Sequence, residues 1–246
     1  MKRMKVLITQ PEPEDKNSSY HNLAEKYNLD ISFVPFISIN AIEKVEFRNQ
    51  KVKILDHTAV ILSSRNAVDH FFHISSLLNI TIPGEMKYFC SSEHIANYLQ
   101  KYISPKRRKI FHGKKHLFDL SDKFKIHKNE RFLIVSSQNS KCDITDYLKS
   151  LGIEYTEATF FNVSSRDLSD LSINDFDLLA FFSHGDLKAL YDNFPDFQQK
   201  DKLIACYGQK TIAAAQTAGL TVNIEAPVLE TLSMTDALDL YLKHRS

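Results

Sequence analysis

The chain has 246 residues, enough for one large α/β domain or two smaller ones, each with its own core. Its 31 Lys+Arg against 30 Asp+Glu leave no global field that would select nucleic acid or an anionic membrane, and 43% hydrophobic residues with 17 Phe and 10 Tyr exclude a disordered chain. Three widely spaced cysteines, Cys90, Cys142 and Cys206, exclude a disulfide framework or a structural zinc site and fit a reducing cytoplasm. The opening apolar run VLI is too short for a signal sequence, and no run reaches the ~18 apolar residues of a spanning helix, so a soluble cytoplasmic protein is expected.

Short, near-continuously apolar runs predict strands at Lys5–Thr9, Ile31–Ile37, Ala59–Leu62, Tyr88–Cys90, Phe132–Val135, Tyr155–Phe161, Leu178–Phe182 and Leu203–Cys206. Helical spacing alternates with them at Ser19–Tyr27, Ala67–Leu78, His94–Tyr102, Asp143–Leu151, Leu187–Asn193 and Thr211–Ala218. This alternation predicts parallel-sheet α/β architecture. Three segments recur in the same order: AVILSSRNAV with LLAFFSHGDL (Ser63 against Ser183), YFCSSEHIANYLQ with IACYGQKTIAAAQ (Ser92 against Gly208), and the stretch through Leu29 with that through Ile153. The offsets are 183 − 63 = 120, 208 − 92 = 116 and 153 − 29 = 124. A duplication giving two similar α/β halves follows.

Ligands of open parallel sheets bind beyond the carboxyl ends of the strands, where helix N-termini hold anions. Small polar residues stand there repeatedly: Ser63 and Ser64, Ser91 and Ser92, Ser136 and Ser137, Ser183, and Gly208 with Thr211. Each alone reads as a helix cap. Together, in two domains facing each other, they predict a cleft suited to a polycarboxylate.

Other chemistries lack their motifs. There is no G-x-G-x-x-G after a strand, no Walker-type loop and no H-E-x-x-H among the ten scattered histidines, so neither metal nor cofactor is expected. His70 and His73 share a helix face without further ligands, whereas His184 directly follows a strand-end serine and is the histidine to carry forward. The basic run Lys106–Lys115 has no stacking platform or helix-turn-helix beside it; nucleic acid is not expected as a partner, and Gly113–Lys115 offers positive charge to a carboxylate.

VLITQPEPE, AVILSSRNAV, GKKHLFDL, LKSLGIEYTEATFFNV, DLLAFFS, ACYGQKTIAAAQTAGL and EAPVLETLSMTDAL, in this order along the whole chain, resemble the uroporphyrinogen-III synthase family. TQPEPE and the Arg after the paired serines resemble its Bacteroidetes-type members. The resemblance implies two similar doubly wound parallel-sheet domains joined by a two-stranded linker, with the active site in the cleft. It implies a discontinuous domain, residues 1–38 with 166–246, and an inserted one, 42–161, with linkers near 37–42 and 162–166. The implied reaction closes hydroxymethylbilane, a linear tetrapyrrole with eight carboxylates, to uroporphyrinogen III. Water is lost and ring D is inverted, by a cofactor-free monomeric lyase of haem biosynthesis.

The candidate substrate-binding residues are Thr9, Ser63, Ser64, Arg65, Asn66, Ser91, Ser92, Gly113, Lys114, Ser136, Ser137, Phe161, Ser183, Gly208, Gln209 and Ser233, of which the resemblance carries over Ser63, Ser64, Gly113, Ser183, Gly208 and Ser233 by position. Phe161 stands where the family commonly has a tyrosine considered a proton donor, Ser183-His184 where it has Ser-Pro, Ser92-Glu93-His94-Ile95 for its second Gly-x-x-Thr, and Val228-Leu229-Glu230 for Thr-Pro-Glu. Thr211 and His184 are therefore the candidate catalytic residues. The same departures support an alternative: a non-catalytic module on this fold that binds a tetrapyrrole or another polyanion.

Overall fold

A computed structural model describes residues 3–15, 18–104, 109–114, 116–138, 144–228 and 231–244. In chain order the strands are β1 (Met4–Ile8), β2 (Leu29–Phe33), β3 (Ile37–Ala41), β4 (Ala59–Leu62), β5 (Lys87–Cys90), β6 (Ile110–His112), β7 (Phe132–Ser137), β8 (Tyr155–Ser165), β9 (Leu178–Phe181), β10 (Leu203–Tyr207) and β11 (Ile224–Ala226). The helices are α1 (Ser19–Tyr27), α2 (Lys44–Asn49), α3 (Arg65–Leu77), α4 (Glu93–Leu99), α5 (Ser121–Ile126), α6 (Thr145–Ser150), α7 (His184–Asn193), α8 (Gln209–Thr217) and α9 (Met234–Lys243). The run expected as one strand, Ile31–Ile37, is two. Pro35 has no N–H for a ladder, so β2 stops at Phe33 and β3 starts at Ile37.

The chain divides into two units: unit 1 is Met1–Ser38 with Ser164–Ser246, and unit 2 is Ile39–Val163. The chain passes from one to the other inside β3 and β8.

Unit 1 holds a five-stranded sheet in the order β11-β10-β9-β1-β2, all neighbours parallel. Successive residues feed opposite faces: Leu7, Leu179 and Phe181 enter one apolar cluster, Val6, Ile8, Leu178 and Ala180 the other. Both faces are covered by helices, which is why these strands are apolar without alternation.

The sheet of unit 2 runs β3-β8-β7-β4-β5-β6, with β8-β7, β7-β4, β4-β5 and β5-β6 parallel. Val60 and Leu62 enter one cluster, Ala59 and Ile61 the other. All four residues of β4 are fully buried, and each large aliphatic contributes about 1.5–3 kcal/mol by leaving water.

Apart from β3, the two sheets have one strand order, with β6, β5, β4, β7 and β8 taking the places of β11, β10, β9, β1 and β2. The sequence halves have therefore exchanged pieces: β1 and β2 of the first half complete a sheet whose other strands come from the second. Register corrects one pairing. β4 starts at Ala59 with the helix cap at Ser64, and β9 starts at Leu178 with the cap at Ser183. The structural partner of Ser183 is thus Ser64, not Ser63, an offset of 183 − 64 = 119.

Candidate functional site

In unit 2 the carboxyl ends of β7, β4, β5 and β6 lie side by side and carry Ser136–Ser137, Ser63–Ser64, Ser91–Ser92 and Gly113–Lys114. Ser64 is the extended N-cap of α3, and its hydroxyl accepts the Ala67 N–H at 3.0 Å. Ser63 is exposed; its carbonyl accepts the Ser91 hydroxyl at 3.1 Å, tying two strand ends together. Ser92 is the N-cap of α4 with no side-chain capping bond. The Gly113 N–H donates to Cys90 O at 3.0 Å, and a Cβ there would meet His116 O and lie 2.9 Å from Ser91 O, so only glycine permits this approach. The Ser136 hydroxyl is buried and donates to Ala158 O at 3.0 Å, a structural bond. Lys114 is exposed and its backbone N–H reaches the Asp119 carboxylate at 2.9 Å.

Arg65, the first residue of α3, is exposed and donates from Nε to His94 Nε2 at 2.8 Å, with its guanidinium 5.2 Å from the centre of the Tyr98 ring. This positive fork thus stands beside the free N–H groups of the α3 terminus, next to half-buried Asn66.

The same edge of unit 1 is built differently. Its strand order reverses between β1 and β9, the point where ligands of such sheets bind. There Asp186, 2% exposed, accepts the N–H groups of Phe182 and Ser183 at 2.9 Å each and the Thr9 hydroxyl at 3.0 Å through one oxygen, Oδ2. Ser183 returns the bond by accepting the Asp186 N–H at 3.2 Å, closing a capping box. Burial pushes the Asp186 carboxyl above its ordinary range, although the N–H groups of Phe182 and Ser183 and the Thr9 hydroxyl pull it back.

His184 begins α7 and is exposed, as is Gln209 at the start of α8. Gly208 caps α8 at φ +88, a conformation suited to glycine, while Thr211 is 3% exposed in the first turn. Ser233 caps α9 by accepting the Asp236 N–H at 3.1 Å. Phe161, 6% exposed, lies in the unit 2 core with its ring stacked on His70, centroids 4.9 Å apart.

Structure thus joins Ser63 to Ser91, sets Gly113 against Ser91, and places Thr9 with Ser183; Ser233 and Gln209 stand apart on their own helix starts. Sequence reasoning missed Asp186, although Ser-x-x-Asp before an apolar run is a capping-box pattern. It also missed the Arg65–His94 pair and the stack under His70. Lys106–Arg108, Lys115, Cys142, Leu229 and Glu230 lie outside the described residues. Lys109 of the basic run is paired with Glu85 at 2.6 Å. Cys90 and Cys206 are core thiols whose burial pushes both up to about 12. Among the described residues no three side chains group as metal ligands, and no helix is long and apolar enough to cross a membrane.

A family model described as uroporphyrinogen-III synthase HemD matches residues 18–236. The chain belongs to the uroporphyrinogen-III synthase family. Family membership makes it an enzyme of tetrapyrrole and haem biosynthesis, of the lyase class, with a small-molecule tetrapyrrole as substrate. Solved structures share the fold. A mutant uroporphyrinogen III synthase of Thermus thermophilus is 12% identical, with 98% of this chain and 99% of that one covered and a TM-score of 0.64. The uroporphyrinogen-III synthetase of Helicobacter pylori is 16% identical, with 98% and 100% covered and a TM-score of 0.63. No curated protein matches the sequence. Both sheets therefore belong to a synthase-family α/β fold, with parallel strands dominant.

Proposed function

We propose that the chain closes hydroxymethylbilane to uroporphyrinogen III by gripping substrate carboxylates along the carboxyl edge of unit 2. The observation that carries this reading is the row of adjacent strand ends bearing Ser63–Ser64, Ser91–Ser92, Gly113–Lys114 and Ser137, flanked by Arg65. Hydroxyls, helix N–H groups and a guanidinium in one row suit a ligand with many carboxylates. The α3 terminus has Ala67 at its third position and so carries no carboxylate of its own there.

The substrate closes unaided to the symmetric isomer, so the protein contributes mainly an enforced geometry. The hydroxymethyl oxygen leaves as water, giving an azafulvenium cation. The substituted carbon of ring D attacks it, and the spiro intermediate fragments and recloses with ring D inverted. The departing oxygen takes a proton, and His184, exposed at the start of α7, supplies it; Thr211 is too buried within its unit to serve as well. Gly208, Gln209 and Ser233 complete the grip of unit 1 and Asn66 that of unit 2, whereas buried Thr9 and the capping Ser183 brace Asp186 and Phe161 packs under His70. The domains in this reading are residues 1–38 with 166–246, and 42–161, acting in a cytoplasmic monomer without cofactor.

Freshly made hydroxymethylbilane tests the reading through the ratio of isomer III to isomer I. A clear excess of isomer III is expected. Isomer I alone, at the uncatalysed rate, would overturn it, and retained binding of the tetrapyrrole would then favour the non-catalytic module.

A further inference from the structure

One nitrogen in unit 2 is out of keeping with the rest of its core. His70 Nδ1 is buried and has no hydrogen-bond partner, although the residue as a whole is only half-buried. Leaving a buried polar atom unpaired costs roughly 1–3 kcal/mol, so such an atom calls for a reason. The fold does not supply one. Counting from the helix caps, 70 − 64 = 6 and 183 + 6 = 189, so the equivalent residue of unit 1 is Ala189, fully buried in an apolar cluster. The same helix on the same sheet packs well without an imidazole there.

The ring is also held in a defined pose. It lies nearly parallel to Phe161, with 20° between the planes and 4.9 Å between the centres. Phe161 pairs in β8 with Ser137, the last residue of β7, so this stack sits level with the row of strand ends.

The tautomer follows from the burial. A buried, unpartnered acceptor is tolerated better than a buried, unpartnered N–H, so Nδ1 carries the lone pair and Nε2 the proton. Protonation would add an N–H at Nδ1 with nothing to receive it. Burial, and the neighbouring His73, lower the affinity of His70 for a proton, against the pull of Asp69.

We propose that His70 is a further substrate-contacting residue of unit 2, a neutral imidazole whose Nε2–H donates a hydrogen bond to the tetrapyrrole. Its acceptor is a carboxylate oxygen or the departing hydroxyl oxygen, and Phe161 fixes the direction of the donor. This rests on the functional reading above. It gives unit 2 an uncharged donor in addition to the cationic Arg65, which faces His94 and Tyr98 rather than Phe161, so no further positive charge has to be desolvated.

The experiment uses the full chain with His70→Phe, which keeps an aromatic ring to stack on Phe161, and His70→Gln, which keeps an N–H donor. Three readouts are taken: rate of isomer III formation, affinity for uroporphyrin III as a stable octacarboxylate probe, and the urea unfolding midpoint. His70→Phe is expected to lose about tenfold in isomer III rate, one hydrogen bond's worth, with a midpoint at or above that of the parent protein. His70→Gln is expected to recover part of the rate. Unchanged rate and affinity in His70→Phe would overturn the proposal. So would a loss of rate that tracks a falling midpoint in both variants, since that is a structural residue's signature. If the parent protein makes only isomer I, the functional reading falls, and the His70 contact is judged by uroporphyrin III affinity alone.

Discussion

Units 1 and 2 place the same helix after the same strand, yet they fill its N-terminus in opposite ways. In unit 1 the third residue of α7 is Asp186, and its carboxylate takes two backbone N–H groups and the Thr9 hydroxyl. In unit 2 the third residue of α3 is Ala67. The place of Thr9 is taken there by Val135, because Val6 pairs with Leu178 as Phe132 pairs with Ala59, and both target residues lie three positions on. Ala67 and Val135 are buried together in one apolar cluster. A helix terminus attracts an anion in either case. Unit 1 supplies its own, and the proposed reading gives the corresponding place in unit 2 to a substrate carboxylate, with Arg65 at the helix start.

Removing the brace is expected to have the largest effect. Asp186→Ala removes the acceptor of the part-buried Phe182 and Ser183 N–H groups and leaves the Thr9 hydroxyl only Ala180 O, at 3.0 Å, and is expected to lower stability by about 3 kcal/mol in urea unfolding. Adding Thr9→Val recreates the unit 2 pair, and the Thr9–Asp186 bond that both changes remove is then lost only once. The double variant should therefore lose clearly less than the sum of the two single losses. Simple additivity would mean that Thr9 and Asp186 do not act as one unit.

The first residues of the two helices sharpen the contrast through kinetics. Arg65→Ala is expected to raise KM for hydroxymethylbilane about tenfold with kcat nearly unchanged, since it removes a charge-assisted grip. His184→Ala is expected to lower kcat with KM nearly kept, as loss of a proton donor does. The reverse pattern would exchange the roles assigned to the two positions.

What could be read in advance follows from how each feature is encoded. β4 and β9 are fully buried, so composition alone betrays them, and the serines after them mark helix starts by a local rule. β6 and β11 have three residues each and only one neighbouring strand, too little pattern to be seen. α9 went unread although Ser233 and Asp236 form a capping box before it. The features that distinguish the units are long-range. Asp186 meets Thr9 across 177 positions, and His70 meets Phe161 only because β8 returns beside β7. No local spacing encodes such contacts, and a buried aspartate is rare enough that pattern reading passes over it.

The caps themselves give a smaller, graded difference. Ser64 caps α3 through one bond, whereas Ser183 shares a reciprocal box with Asp186. Ser64→Ala should cost about 1 kcal/mol, and Ser183→Ala about 2 kcal/mol, near the top of the range for a cap, by urea midpoint. Equal losses would show that the box adds nothing beyond the single capping bond.

The smallest effect is the pH dependence that separates His70 from its apolar counterpart Ala189. Burial lowers the proton affinity of His70 in the folded chain below the ordinary value of 6.5. As pH falls past 6.5 the unfolded chain therefore takes up its proton first, and stability contributed by the neutral ring, present in full above that pH, declines. His73 adds to this, and Asp69 opposes it. His127 titrates with the same sign, lowered by burial, so the total slope of the parent protein does not isolate His70. The difference between the parent protein and His70→Phe does. Urea midpoints of the two from pH 8 to pH 5 are expected to move together above about 6.5 and diverge below it, the parent protein losing more. Parallel curves across that window would mean that the folded protein protonates His70 as readily as the unfolded chain, and that its buried nitrogen has found an acceptor.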